Sequence, residues 1–412
     1  MQTRREDLSP GILWRGEISF TKMTDNTDRL WTTGFICACV ANFMTCFSFF
    51  LLMPTLPFYL VERFAAGKSL IGILVSGFII SALLTRPFSA YLVDKFSRKT
   101  VYLISFVFFV ASYAGYFVAG SVLSFLFLRL WHGVTWGAIS TSGNTVAIDI
   151  MPSRKRGEGI GFYGMAATLS VAAGPMVGLF LYNRYDFNLI FYTAMISGII
   201  GLVAASFIKV TARVPFKHPA VSLDRFISVK GIPIGINLVL LSVSYGMVLS
   251  FAAMYGKEIG VENAGLFFML MALGTAGSRT FIGKWIDRGK IHQVTLSGAV
   301  IIAVSFILFT FYRTSSIYYI SAFTIGIGWG ILFPSFQTLF VNIVPHNQRG
   351  TANSTFFTSL DTGVGGGIYL AGKVSEISSL STAFGLGAIA GIFSIFYYIK
   401  ISAPIYDRHK LQ

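Results

Sequence analysis

The chain alternates between long apolar runs and short polar segments. Twelve of the runs are about as long as the ~20 residues that a helix needs to cross a bilayer. They cover residues 31–60, 69–93, 100–120, 122–151, 157–182, 188–210, 232–256, 263–287, 292–312, 315–344, 350–372 and 379–402. A transmembrane barrel would instead have short segments of alternating polarity. The pattern therefore predicts an all-α integral membrane protein with twelve transmembrane helices.

Composition agrees with this prediction. Hydrophobic residues make up 54% of the chain and charged residues 12%, whereas a soluble domain has about 25% charged residues. The first 30 residues are polar and lack the short apolar core of a cleavable signal peptide. We therefore expect the first span to act as an uncleaved signal anchor.

The net charge of +15 raises the question of a nucleic-acid partner, but the distribution of basic residues argues against one. Most of the 32 Lys and Arg residues lie in the termini and in the loops that share their side of the membrane, such as Arg154, Lys155 and Arg156. This is the positive-inside bias. It predicts a multi-pass plasma-membrane protein, in a bacterium an inner-membrane protein, with both termini cytoplasmic.

An offset of 193 residues relates the two parts of the chain. It carries Arg86 to Arg279, Phe88 to Phe281, Asp94 to Asp287, Gly133 to Gly326, Trp136 to Trp329 and Gly174 to Gly367. The repeat predicts a cytoplasmic tail at 1–30, a six-helix half at 31–210, a cytoplasmic linker at 211–230, a second half at 231–402 and a cytoplasmic tail at 403–412. Two such halves around a midplane cavity are typical of alternating-access transporters.

Three motifs resemble those of the major facilitator superfamily. "AYLVDKFSRK" at 90–99 is similar to the loop motif between spans two and three, with Ala90 and Ser97 in place of its glycines. "RLWHGVTWGA" at 129–138 is similar to the span-four motif, with a histidine where glutamine is usual. "GMAATLSVAAGPMVG" at 164–178 resembles the span-five motif of antiporters through Gly164, Gly174, Pro175 and Gly178. The resemblance is strongest to bacterial drug- and metabolite-efflux permeases and implies that family's twelve-helix, two-half fold.

The resemblance also implies a gate at the cytoplasmic surface. Asp94 and Asp287 lie at the cytoplasmic ends of spans two and eight. The family fold would place them beside the N-terminal ends of spans eleven and five, which carry partial positive charge. Asp94 would latch the halves in the outward-facing state, assisted by Arg98 and Asp149. The alternative is that these are ordinary loop charges that set topology, which we prefer for Lys95 and Lys99.

Asp361 is the acid that lies deepest in a predicted span, about 16 Å from Gly350 at the rise of a helix. An ionised carboxylate there must be paired or protonated, which is the choice that proton coupling needs. Because the family fold packs span two against span eleven, we hypothesise an Arg86–Asp361 contact between the halves. Arg279 lacks this option, since Thr168 matches Asp361. The alternative is a fixed ion pair that ties two helices together.

Arg129 and His132 share one face of span four. The resemblance gives Arg129 a role in proton transfer, where it would act on a neighbouring acid or hold an anion. His132 titrates in the physiological range, although a lone buried histidine is more often a structural hydrogen-bonding group. We also take Asn42, Trp136, Asn237, Tyr245, Trp329 and Gln337 as candidates to line a cavity. Each could instead be a packing contact.

These features predict a proton-coupled exporter of a small amphipathic molecule, functional as a monomer, with protons and lipid as its other partners. The alternative is a symporter or facilitator that imports a sugar, organic acid or similar nutrient. No phosphate-binding loop, metal-ligand cluster or nucleophile–base pair is visible in the sequence, so we expect no ATP use, no metal, no cofactor and no enzymatic activity. The cysteines Cys37, Cys39 and Cys46 offer no disulfide framework.

Overall fold

A computed structural model describes residues 29–152, 155–210, 228–345 and 349–411, which are helical and contain no strand. Its fourteen α-helices are α1 (Thr33–Leu52), α2 (Leu56–Phe64), α3 (Lys68–Lys95), α4 (Arg98–Val118), α5 (Val122–Ile150), α6 (Arg156–Arg184), α7 (Phe187–Ser206), α8 (Ile232–Glu258), α9 (Ala264–Asp287), α10 (Ile291–Phe311), α11 (Ser315–Asn342), α12 (Arg349–Ile377), α13 (Leu380–Tyr397) and α14 (Ala403–His409). A 3-10 turn, Val229–Gly231, precedes α8, and a π-helical turn, Tyr398–Ser402, joins α13 to α14.

The helix boundaries repeat with the offset found in the sequence. Adding 193 to the bounds of α4 gives those of α10, and adding it to the bounds of α6 gives those of α12. When the same offset is added to the bounds of α3 and α5, the results differ from the bounds of α9 and α11 by at most three residues. The two six-helix halves are therefore copies of one fold.

Eleven segments of the described chain are long and apolar enough to span a membrane. The remaining predicted span is α12, which has 29 residues but a more polar sequence, with Asp361 near its middle. One side of α12 lines a cavity described below, which explains why polar residues are tolerated along it. The prediction of twelve transmembrane helices in two six-helix halves is confirmed.

The ends of the chain differ from the prediction in detail. The first span is broken into α1 and α2 by a turn around Pro54, whereas α8, its counterpart, is continuous. Residues 403–409, predicted to begin a tail, form the last helix, and the backbone N–H of Leu411 donates to the carbonyl of Asn342. Residues 1–28 and 211–227, which include most of the predicted N-terminal tail and linker, lie outside the described chain.

Short polar side chains fix where many helices begin. Each accepts a hydrogen bond from a backbone N–H of the first turn, which would otherwise be unpaired. These N-cap residues are Thr32, Ser121, Asp186, Asn263, Thr314 and Ser379. We call the membrane face on which α1 begins the terminal face, because both ends of the helical bundle lie there. The other is the opposite face.

Within each half, glycines let helices approach closely. A Cβ added to Gly133 would overlap the carbonyl oxygen of Phe78, and one added to Gly326 would overlap that of Met271. These equivalent positions press α5 on α3 and α11 on α9. Between the halves, α3 packs on α12 and α6 packs on α9, which are again equivalent pairs. A cavity lies between the halves.

Candidate functional site

The cavity has a volume of about 1720 Å³ and is lined by helices of both halves. It reaches the terminal face, because its lining includes Tyr91, Met151 and Thr351, each within a turn or so of a helix end on that side. Its other end lies inside the bundle, at residues such as Met53 and Leu249. The structure is therefore open toward the terminal face.

Arg86 and Asp361 meet in this cavity. Arg86 Nη1 lies 2.6 Å from Asp361 Oδ2, and the two side chains are 17% and 21% exposed. The guanidinium carbon of Arg86 is also 5.6 Å from the centre of the Phe357 ring. Arg86 belongs to α3 and Asp361 to α12, so the pair joins the two halves. The predicted contact is present, while its role in proton coupling stays a prediction.

The equivalent arginine on the other side of the cavity meets a hydroxyl group. Arg279 Nη1 donates to Thr168 Oγ1 at 2.7 Å, and its guanidinium carbon is 5.5 Å from the centre of the Phe333 ring. The Thr168 hydroxyl in turn donates to the carbonyl of Gly164 at 3.1 Å. This contact joins α9 to α6 and is the pseudo-symmetric counterpart of the Arg86–Asp361 pair.

Arg129 and His132 do not line the cavity. Both are buried within the first half, and Tyr116 Oη lies 2.9 Å from His132 Nδ1 and 3.1 Å from Arg129 Nη1. Arg129 also stacks on the Phe78 ring, 4.5 Å from its centre. Since Phe78 itself lines the cavity, this ring lies between Arg129 and the cavity. The structure thus separates Arg129 and His132 from Asp361.

The predicted gate residues lie at the terminal face. Arg98 and Asp149 form an ion pair at 2.5 Å, but both belong to the first half, so this pair alone does not hold the halves together. The side chains of Asp94 and Asp287 lie outside what the structure describes. A latch by Asp94 in an outward-facing state stays a prediction, because this structure is open on that side.

Polar contacts that were not predicted from the sequence close the opposite face. Lys68 Nζ lies 2.5 Å from Glu258 Oε1, and Glu376 accepts a hydrogen bond from the backbone N–H of Ser69 at 3.2 Å. Tyr182 links Glu62 (2.8 Å) to Lys257 (3.3 Å). These three links, which we call the opposite-face latch, each join the first half to the second. The only signal for them was the presence of charged residues at helix ends.

Below the latch, the backbones of α3 and α12 come close together. A Cβ added to Gly72 would lie 3.0 Å from the Cα of Gly372. This approach is closer than side chains allow, so a larger residue at either position would push the helices apart. The small residues explain how the cavity is sealed on this side.

Most of the predicted cavity residues line the cavity. Asn42 donates to the carbonyl of Tyr163 at 2.9 Å, Gln337 donates to Asn353 at 3.2 Å, and the Tyr245 and Trp329 rings lie 4.6 Å apart. Trp136 stacks on Phe49 at 4.5 Å. These five of the six predicted residues are part of the lining.

The prediction for Asn237 is wrong. Asn237 is buried and its amide donates to the carbonyl of Ser394 at 2.8 Å, so it ties α8 to α13 on the side away from the cavity. The lining also includes residues that were not predicted from the sequence, such as Asn144, Tyr163 and Phe357. Which face of a transmembrane helix points inward depends on its rotation, and the even hydrophobicity of these helices gave no sign of it.

The span-five glycines serve helix packing as well as the cavity. Gly178 lies against the carbonyl of Leu51, and a Cβ added to Gly174 would lie 2.8 Å from the backbone nitrogen of Leu51. These contacts let α6 pack on the end of α1. Gly164 lines the cavity with open space around it, and Pro175 lies inside α6. The association of this motif with export remains a resemblance.

Comparison with known proteins gives consistent matches. The sequence model of the Major Facilitator Superfamily matches residues 38–370. The chain is 23% identical over 365 residues to the staphylopine export protein of Staphylococcus aureus, covering 82% of this chain and 89% of the relative. It is 24% identical over 386 residues to the multi-drug resistance efflux pump PmrA of Streptococcus pneumoniae, covering 88% and 93%. A solved D-xylose-proton symporter superposes with a TM-score of 0.77 at 15% identity, covering 92% and 99%, which supports the fold alone.

Proposed function

Because this chain belongs to the Major Facilitator Superfamily, a family of small-molecule transporters rather than enzymes, we propose that it is a proton-driven exporter of small amphipathic organic molecules. In this proposal the terminal face is cytoplasmic, as the basic residues predict, and the protein works as a monomer in a bacterial inner membrane. The substrate enters the cavity from the terminal face and leaves after the halves rock.

The Arg86–Asp361 pair carries this proposal. An ionised carboxylate inside a membrane protein is costly unless it is paired, and Arg86 is its partner here. Protonation of Asp361 would remove the charge that holds Arg86 and would release a tie between α3 and α12. One proton would then change the free-energy difference between the conformations, which is the coupling that a secondary transporter requires.

The direction of transport rests on a different kind of support. The two relatives described above are named as an export protein and an efflux pump. The cavity wall fits an amphipathic substrate, since it contains aromatic rings such as Phe49, Trp136 and Trp329 together with a few polar groups. Such walls bind apolar surface strongly, while a small number of polar groups fix orientation.

The test uses purified protein in proteoliposomes with an imposed pH gradient and a pH dye inside. A panel of amphipathic compounds is added to wild type, to Asp361→Asn and to Asp407→Asn. Asp407 is a matched control, because its carboxylate pairs with His292 and Lys410 outside the cavity.

We expect substrate-triggered proton flux in wild type and in the control but none in Asp361→Asn. Flux that survives in Asp361→Asn would support the fixed-pair alternative and contradict the assigned proton site. Substrate that moves in the same direction as the proton would contradict export and favour the import alternative.

A further inference from the structure

Arg279 is a charged group of the cavity for which the transport cycle proposed above has no use. It lines the cavity from α9, and it contacts the Thr168 hydroxyl and the Phe333 ring. Among the residues that the structure describes, none places a carboxylate within 4.0 Å of Arg279. No acid of the described part of the chain therefore neutralises its positive charge at contact distance.

The charges of the whole cavity lining lead to the same result. Among the described residues of the lining, three are charged at neutral pH, namely Arg86, Arg279 and Asp361. The two positive charges and one negative charge of these three described residues sum to +1, and the negative charge is already paired with Arg86. The surplus charge consequently lies on the Arg279 side.

Contacts with the described residues leave donors of the Arg279 guanidinium available to a ligand. A guanidinium group has five N–H donors, and only one of its nitrogens donates to Thr168. Arginine keeps its charge under all ordinary conditions, and its planar fork matches the two oxygens of a carboxylate. A hydroxyl and an aromatic ring steady the guanidinium without neutralising it. An acidic ligand would supply the missing negative charge.

We propose that Arg279 binds an acidic group of the transported substrate, with Thr168 as the positioning residue that orients the guanidinium. The apolar part of the substrate would then lie against the aromatic wall that includes Phe333 and the Tyr245–Trp329 pair. This inference rests on the proposed transport function, for which it names a substrate class: small amphipathic molecules that carry a carboxylate.

Linkage sets a further condition on that substrate. An acidic group alone would bind more tightly when Asp361 is protonated, because protonation makes the cavity more positive, and it would then travel with the proton. A substrate that is exchanged for a proton must disfavour protonation of Asp361, as a nearby ammonium group does. If transport is an exchange, the substrate is therefore a zwitterion rather than a simple acid.

The competing explanation is that Arg279 and Thr168 only tie α9 to α6. A structural tie predicts that Arg279→Gln weakens folding and affects all ligands equally. Substrate recognition predicts instead that the variant folds normally and loses affinity only for ligands with an acidic group.

The experiment uses matched ligands and matched variants. Four compounds share one naphthyl body and carry a carboxylate, a carboxamide, an ammonium group, or an ammonium and a carboxylate together. Binding to the purified full chain is measured by tryptophan fluorescence, and flux is measured in proteoliposomes. The variants are Arg279→Gln, Arg279→Lys and the control Arg313→Gln, which removes an exposed arginine from the loop between α10 and α11. Thermal unfolding of each variant monitors folding.

We expect the two carboxylate compounds to bind wild type and the control, and to bind Arg279→Gln roughly 10- to 100-fold more weakly, as for a lost charge-assisted contact. Arg279→Lys should recover part of this loss. The inference is overturned if neither carboxylate compound binds wild type at millimolar concentration, if both bind Arg279→Gln equally well, or if the carboxamide binds as tightly as the acid. If the simple acid moves with the proton in an Arg279-dependent manner, the Arg279 site holds and the export proposal fails.

Discussion

Arg86 and Arg279 occupy equivalent positions, 193 residues apart, on α3 and α9. Each reaches across the interface to a helix of the other half and lies over a phenylalanine ring at about the same distance. The difference is the residue that each one meets. Arg86 meets the carboxylate of Asp361, whereas Arg279 meets the hydroxyl of Thr168.

Because their partner residues differ, the two equivalent arginines can have different roles in an otherwise symmetric fold. A neutral ion pair can switch with a proton, because its acid has two protonation states. An arginine that meets only a hydroxyl cannot switch, but it keeps a charge that a ligand can neutralise. We call the contact of Arg86 (α3) with Asp361 (α12) the first half-interface and the contact of Arg279 (α9) with Thr168 (α6) the second half-interface. We interpret the first as the proton site and the second as the substrate site. The variants below distinguish these two roles, from the largest expected effect to the smallest.

The largest effect is expected for Asp361→Asn, which makes the first half-interface resemble the second. Net transport driven by a pH gradient should fall to the level of empty liposomes, because no group is left to take the proton. Exchange of labelled for unlabelled substrate across the membrane should continue, since it needs no proton. A variant that lost both activities would point to a structural role for Asp361.

Arg86→Gln and Arg279→Gln test the division directly. Arg86→Gln leaves Asp361 without its partner, so gradient-driven flux should fall roughly tenfold or more, with a change in its pH profile. Arg279→Gln should weaken substrate binding while the number of protons moved per substrate stays at the wild-type value. Equal effects of both variants on proton stoichiometry and on affinity would contradict the division.

Thr168→Asp makes the second half-interface resemble the first. The new carboxylate should pair with Arg279 and compete with the acidic group of the substrate, weakening its binding roughly 5- to 100-fold. Thr168→Ser keeps the hydroxyl and serves as the control. Unchanged binding of an acidic ligand in Thr168→Asp would argue that the ligand does not use Arg279.

The smallest effect is expected at the opposite-face latch, which is remote from both arginines. The side chains of Lys68 and Glu258 are 27% and 41% exposed. Loss of this ion pair should therefore destabilise the closed opposite face by only about 0–1 kcal/mol. Lys68→Ala should therefore raise the population of the form that is open at the opposite face by no more than about fivefold. Spin-label distances between the halves on the opposite face would measure this change. A complete shift to the form that is open at the opposite face would show that the latch is far stronger than its exposure implies.

Much of this architecture could be predicted from the sequence. The twelve spans, the 193-residue repeat and the Arg86–Asp361 contact followed from run lengths, matched positions and helix rise. The contact was predictable because Asp361 is a rare deep acid, and because the resemblance supplied the neighbouring helix. Thr168 was identified as its counterpart by the same offset.

The helix rotations and the conformational state were not predictable. Asn237 and Asn42 are both asparagines within spans, yet one ties α8 to α13 and the other lines the cavity. Arg129 has a motif that implies function, yet Phe78 separates it from the cavity. The opposite-face latch was not predicted because Lys68, Glu258 and Glu376 have the sequence pattern of ordinary charged residues in loops. Only tertiary packing brings Lys68 to Glu258, and Glu376 to the backbone of Ser69.

The exchange of substrate for a proton at the Arg86–Asp361 pair is tested most directly by counting the protons that purified protein releases when it binds substrate in a weakly buffered detergent solution. At the pH at which Asp361 of the unliganded protein is half protonated, we expect wild type to release up to about half a proton per substrate bound, and Asp361→Asn to release none. The Arg279→Gln variant should need more substrate but release the same number of protons per bound molecule. Proton uptake on binding, or release that persists in Asp361→Asn, would contradict the claim that substrate and proton exchange at this pair.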